Sequence, residues 1–215
     1  MVIRRCVASN EILDTFAVAF ACGLPLFPLM KHESDERLAF MLARRSIRVY
    51  SGEQVSDETV RELLVAAMAA PSAAAKDPWR FVVVRDRQVL SAIAAALPNG
   101  QMLVTATLGI IVCGDLDAAH DRQLSYLLQD CSAAIMNLLL AAHVLGLGAC
   151  WLGIHPREER IRKTKEILGL PDSVIPVGGI SLGYPGEVKE PRTRFTLDSV
   201  HLDKWGAKPR GPIWT

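Results

Sequence analysis

Residues 43–51 read ARRSIRVYS, placing Arg44, Arg45 and Arg48 within five positions with the hydroxyl of Ser46 among them. Elsewhere the chain is close to neutral, 24 Lys+Arg against 23 Asp+Glu, so the cluster is not a sample of a generally basic surface. A guanidinium presents paired N–H donors that match two phosphate oxygens, and a hydroxyl adds a short donor beside it. Arg-Arg-Ser-x-Arg is therefore a plausible seat for a small phosphorylated ligand. A solvated helix end, whose negative dipole favours cations, would account for one or two of the arginines. It would not account for the interleaved Ile47, Val49 and Tyr50, which suggest alternate residues turned into the protein.

Other chemistries find less support. GLGACWLG at 146–153 has glycines in a dinucleotide-like spacing, but Trp151 stands where the third glycine of GxGxxG belongs. The glycines also follow a helix and enter a strand, the reverse of the nucleotide-binding order, so Gly146 and Gly148 read as a helix cap and turn. No GxxxxGK[ST] occurs. The pairs Cys150/His155 and Ser181/His201 lack any flanking signature of a nucleophile, and a cysteine in an apolar strand stays protonated. The five histidines show no i, i+4 pairing, and no metal site is indicated.

Stepping from these residues to what must carry them, 215 residues suit one large domain. Half are hydrophobic and 22% charged, which excludes the composition of a disordered chain. A net charge of +1 gives no broad basic surface for nucleic acid. Five widely spaced cysteines without a CxxC pair fit buried thiols in a reducing, cytoplasmic setting. Two uncharged runs raise a membrane reading. Thr15–Met30 is short and holds Pro25 and Pro28; Cys131–Pro156 is broken by polar residues and glycines into a buried helix and a buried strand. Arg4, Arg5 and the run after them resemble a secretion signal, but Glu11 and Asp14 intervene and no small-residue cleavage site follows. Residues 1–33 are expected to be an N-terminal extension, with Met30 the natural start, and 34–215 the functional domain.

Ser34 with Asp35 and Glu36 predicts a helix start, continuing to about Arg44. SDET at 56–59 opens a one-faced helix that Pro71 ends. RFVVV at 80–84, LGIIVCGD at 108–115, ACWLGI at 149–154 and VIPVGGISLGYP at 174–185 predict strands. A short helix is predicted at 87–97, and another opens at Pro156 and closes at Gly169. The segment 126–145 predicts a long helix apolar nearly all round, hence buried on every side inside a domain or across a dimer interface. Helices interleaved with apolar strands imply a layered α/β or α+β fold. Residues 187–206 read as a polar C-terminal tail.

The order RRSIRVY, APSA, PWRFVVV, QDCSAAIMNLLLAAHVLGLGACWLG, GYPGE and PRTR resembles the nitroreductase family of FMN-dependent NAD(P)H oxidoreductases, over roughly residues 34–206. The resemblance implies an α+β sandwich of helices around a mostly antiparallel central sheet. It also implies an intertwined homodimer holding two FMN molecules in clefts between subunits. Arg44, Arg45, Ser46 and Arg48 would then meet the FMN phosphate, ribityl chain and pyrimidine edge. Arg194, with Arg192 as second choice, would complete the phosphate site. Pro71, Ser72 and Ala73 would come from the other subunit, and Leu152 and Gly153 would supply backbone contacts near flavin N5. NADH or NADPH would be the co-substrate and a small electron-poor molecule the acceptor, with no partner nucleic acid or membrane and no catalytic acid or base.

The chain departs from the family pattern at two positions. Ala75 stands where many members have an asparagine that hydrogen-bonds the flavin ring, and Asp77 where they have glutamine. The first removes a polar contact and the second adds negative charge. They leave open a branch with other flavin chemistry, such as reductive dehalogenation or flavin destruction, and a flavin-binding dimer without turnover.

Overall fold

The computed structural model describes residues 35–211. The expected extension 1–33, the runs weighed there as membrane or signal segments, the Met30 start and the Ser34 cap lie outside the described residues.

Two adjacent strands build the centre of the sheet because their side chains are apolar on both faces. In β2 (Leu108–Asp115) everything except the last residue is buried, and in β4 (Val174–Gly183) burial is continuous from Pro176. They pair antiparallel, with β1 (Trp79–Val84) on the far side of β2 and β3 (Gly148–Gly153) on the far side of β4, in the order β1-β2-β4-β3. Every ladder is antiparallel, as the family resemblance implies.

Helices cover both faces. α1 (Asp35–Ala43) leads into the arginine segment. α2 (Asp57–Met68) starts where the Ser56 hydroxyl accepts from the Thr59 amide at 3.1 Å, with Asp57 and Glu58 in its first turn. α3 (Arg87–Ala96) is capped by Asp86 through the Gln88 and Val89 amides. With α4 (Leu124–Val144), α2 buries Leu63, Leu127, Ile135 and Leu138 against Ile110, Val112 and Ile180. On the opposite face, α3 and α5 (Glu158–Leu168) cover Ile111, Cys113, Leu152 and Ile154. The alternation of Ile110, Ile111, Val112 and Cys113 between these two clusters is the period of two in β2 made physical.

Two sequence expectations change. α5 starts at Glu158, not Pro156, because Arg157 is still extended and forms the cap position. Within the single chain, α4 is not buried on every side, which leaves the dimer interface of the two settings expected for it. Tyr126, Gln129, Met136 and Val144 are exposed and Ala133, Asn137 and Leu140 half-buried, at spacings of three and four that place them in one stripe. α4 is long and apolar enough to cross a bilayer by length and composition, but its other face is packed into the core. Val65 and Met68 of α2 are also exposed, and Asn137 donates to the Ala66 carbonyl at 3.1 Å, so α2 borders the stripe.

Candidate active site

β3 ends the sheet, and its outer edge is followed by the arginine segment. Ser46 makes a parallel bridge to Ala149, the Ile47 amide donates to the Ala149 carbonyl at 3.0 Å, and Tyr50 bridges to Pro185. Glycines make this approach possible. A Cβ on Gly148 would sit 2.7 Å from Ile47 Cγ2, and Gly146 holds the preceding turn at φ 73. Ile47 and Tyr50 point inward, the Tyr50 hydroxyl lying 2.7 Å from Ser181 Oγ. Val49 does not join them; it is half exposed. Val49 was expected to turn inward with them; instead the Arg48 and Val49 amides both donate to one acceptor, the Glu187 carboxylate, at 2.6 and 3.3 Å.

That carboxylate and its neighbour were not singled out in the sequence. Lys189 Nζ donates to Glu187 Oε1 and to the Ser46 carbonyl, both at 2.9 Å, while Arg45 donates to the Glu190 carbonyl. Residues 186–190 thus fasten the arginine segment from its other side. The only sequence signal was GYPGE, which ends at Glu187, with Lys189 two residues further on. The Lys189 ammonium, then the Arg48 and Val49 amides, hold the Glu187 carboxyl below its usual range. A lowered folded-state value means the carboxylate favours the fold at neutral pH, and this contribution disappears as pH falls below the ordinary value of about 4.3. The stability gap between wild type and Glu187→Gln should therefore shrink on acidification through that range in urea titrations. A gap independent of pH would show that the carboxylate does no fastening.

The arginines divide between two cavities at opposite ends of β3. Arg44 and Arg45 line a cavity of about 280 Å³ together with Ile47, His143, Glu187 and Lys189. Arg44 Nε is buried without a hydrogen-bond partner among the described residues, a condition native proteins seldom leave unanswered. His143 is pushed toward the neutral form, first by burial and then by the Arg44 charge. Arg48 instead faces a cavity of about 470 Å³ with Cys150, Trp151, Leu152 and Gly153. Leu97, Asn99, Gln101, Met102 and Arg160 form its remaining wall. The Cys150 thiol is pushed up by burial, an effect that Arg48 and Lys189 oppose, and Ser181 is fully buried against Tyr50. Neither has the character of a nucleophile.

Other sequence candidates lie apart. Pro71, Ser72, Ala73 and Ala75 border neither cavity. They form a loop fixed to α4 by the Ala73 amide, which donates to Asp130 Oδ1 at 2.9 Å. Ala74, Ala75 and Asp77 all have left-handed backbone, at φ 50, 51 and 48. The Ser72 hydroxyl donates to the Asp77 carboxylate and accepts from the Asp77 amide, so Asp77 serves as the clasp of this loop. Arg192 and Arg194 are exposed and make no side-chain hydrogen bond or ion pair among the described residues.

The sequence profile of the nitroreductase family matches residues 41–102 and 91–184. The chain belongs to the nitroreductase family. A protein of Archaeoglobus fulgidus provisionally named NADH dehydrogenase/NAD(P)H nitroreductase is 46% identical over 174 residues, covering 80% of this chain and 99% of that protein. The solved structure of a similarly named protein from Parabacteroides distasonis superposes with a TM-score of 0.75 at 37% identity, covering 79% of this chain and 99% of the other. A nitroreductase of Desulfovibrio desulfuricans, solved in complex with FMN, is 33% identical with a TM-score of 0.68, covering 81% and 98%. As a nitroreductase the chain is an oxidoreductase, in the company of relatives named FMN reductase and NADPH-flavin oxidoreductase.

Proposed function

We propose that this nitroreductase binds FMN and passes reducing equivalents from NADH or NADPH to a small electron-poor acceptor, a quinone, nitroaromatic or enone, by a ping-pong scheme. The observation that carries the cofactor assignment is Arg44: a buried guanidinium nitrogen without a partner, in a cavity shared with Arg45 and Lys189, suits a phosphate. The FMN complex of the Desulfovibrio relative supports the same reading. The residues present fit the group, and the family resemblance extends it to Ser46, Arg48, Leu152 and Gly153, with Arg192 and Arg194 folding over the phosphate.

FMN, when bound, supplies hydride transfer at N5. The chain's part is placement and charge. Arg44 and Arg45 anchor the phosphate; Arg48, at the other end of β3, puts a cation toward the pyrimidine edge, where reduction adds negative charge. Glu187 and Lys189 keep these arginines in register by holding the backbone of 46–49. The Gly153 backbone leaves open space beside it, since an added Cβ there would meet nothing within 4 Å. Two substrates can use that opening in turn. A quinone accepting hydride takes one further proton from solvent to become a hydroquinone, which requires no acid from the protein.

A second copy of the chain completes the reading. The exposed stripe of α4 with Val65 and Met68 of α2 is the surface it would cover, bringing Pro71, Ser72, Ala73 and Ala75 to the partner's flavin. Residues 34–215 would form this domain and 1–33 an extension. Free buried cysteines at 113, 131 and 150 suit a cytoplasmic setting.

The test is the absorption spectrum of the purified protein, reconstituted with FMN where needed, followed by anaerobic addition of NADH and of NADPH. Bleaching of the flavin band by either nucleotide is expected. Bound flavin that neither one bleaches would overturn the enzymatic reading, and failure to bind FMN would overturn the cofactor assignment.

A further inference from the structure

The wall of the larger cavity indicates what kind of acceptor enters it. Its apolar part comes from Leu97, Met102 and Leu152, and its neutral polar part from Asn99 and Gln101. Its charged residues are Arg48 and Arg160, and no carboxylate lines it. Arg48 belongs to the flavin in the reading above, on which this inference rests. Arg160 has no such duty.

Its surroundings set Arg160 apart from Arg162 and Lys163 in its helix, whereas Lys165, away from this cavity, donates to the Asp172 carbonyl at 3.0 Å. Arg162 binds Glu159 at 2.9 Å and Glu166 at 2.6 Å, and Lys163 binds Glu159 at 3.1 Å. Arg160, in the same helix, has no acidic partner among the described residues; its one hydrogen bond, 2.8 Å from Nη1, goes to the Gly153 carbonyl. That bond aims the guanidinium across the end of β3, at the backbone nearest the opening, and leaves its other N–H donors free. A cation tethered by a neutral carbonyl, in a cavity without acids, attracts an anion at little cost in reorganisation.

We propose that the physiological acceptor is a flat aromatic molecule bearing an anionic group, a carboxylate or sulfonate, and that Arg160 is the residue that selects it. The ring lies along Leu97 and Met102, with its reducible end toward Gly153, while the anionic group takes the free side of the Arg160 fork.

The test uses the flavin-loaded protein and two nitroarenes, 4-nitrobenzoate and the neutral 4-nitrobenzyl alcohol, with NADH or NADPH under anaerobic conditions. In each, hydride and one proton convert the nitro group to nitroso with release of water, so only the charge at the opposite ring position distinguishes their binding. Comparing kcat/KM ratios between proteins cancels the intrinsic reactivity of the two compounds. Arg160→Gln should lower the ratio of benzoate to alcohol by about tenfold. Arg160→Lys, which keeps the charge and loses the fork, should recover part of it. Added salt should erode the wild-type preference. An unchanged ratio in Arg160→Gln overturns the proposal. So does a loss confined to NADPH relative to NADH, which would assign the arginine to a nucleotide phosphate. Flavin that neither nucleotide reduces defeats the flavin reading and this one together, whereas normal flavin reduction with an unchanged ratio defeats this one alone.

Discussion

Arg44→Ala is expected to leave the purified protein without flavin, colourless where the wild type is yellow. Arg44 Nε is buried and unpartnered among the described residues, a donor that a phosphate oxygen would pair. A hydrogen bond to a charged group contributes about 1.5–3 kcal/mol, which is about ten- to a hundredfold or more in FMN affinity. The sign of a second measurement separates this role from a structural one. Removing an unpaired buried donor should leave the melting temperature of flavin-free protein unchanged or raised, while the rise in melting temperature on adding FMN should be lost. Lower stability without FMN, together with undiminished FMN binding, would show that Arg44 supports the fold and not the phosphate. Arg44→Lys keeps a charge without the fork and should fall between the two.

Met136→Glu is expected to break the proposed dimer into monomers in sedimentation, and to release flavin in the same step. Met136 is at the middle of the exposed stripe that runs from Tyr126 to Val144. A second copy covering that stripe would bury the new carboxylate without a partner, at a cost of several kcal/mol. Because the face is solvent-exposed in the single chain, the substitution should leave the monomer's helical content and thermal unfolding close to wild type. A dimer that persists at micromolar concentration would remove α4 from the interface. A monomer that retains FMN at full affinity would show that the Pro71–Ala75 loop has no part in the partner's site.

The strands were legible to within a residue or two because β2 and β4 are continuous apolar runs bounded by turn residues, and few other structures bury such runs. α2 was legible from SDET and one apolar face, and Gly146 from its place between a helix and a strand. α4 was read only in part. Its composition is apolar all round, but composition cannot say whether cover comes from the same chain or from another. Arg44, Arg45, Ser46 and Arg48 stood out because four such residues are adjacent in sequence. Glu187, Lys189 and Arg160 did not, because each acts on backbone more than a hundred residues away or, for Arg160, on a single carbonyl across a turn. Asp77 was read as charge near a site; its bonds to Ser72 make it the closing contact of a left-handed loop, a role that depends on backbone angles no residue pattern specifies.

The arginine segment also lies along an edge. β3 is a terminal strand of the sheet, and Ser46 and Ile47 run beside its start, through the Ser46 to Ala149 bridge and one backbone hydrogen bond. An open, apolar strand edge is a template on which a second chain can pair and aggregate. The residues proposed to seize FMN thus also cover the start of that edge, so a ligand that tightens 44–48 should also lower the chance that another chain pairs there.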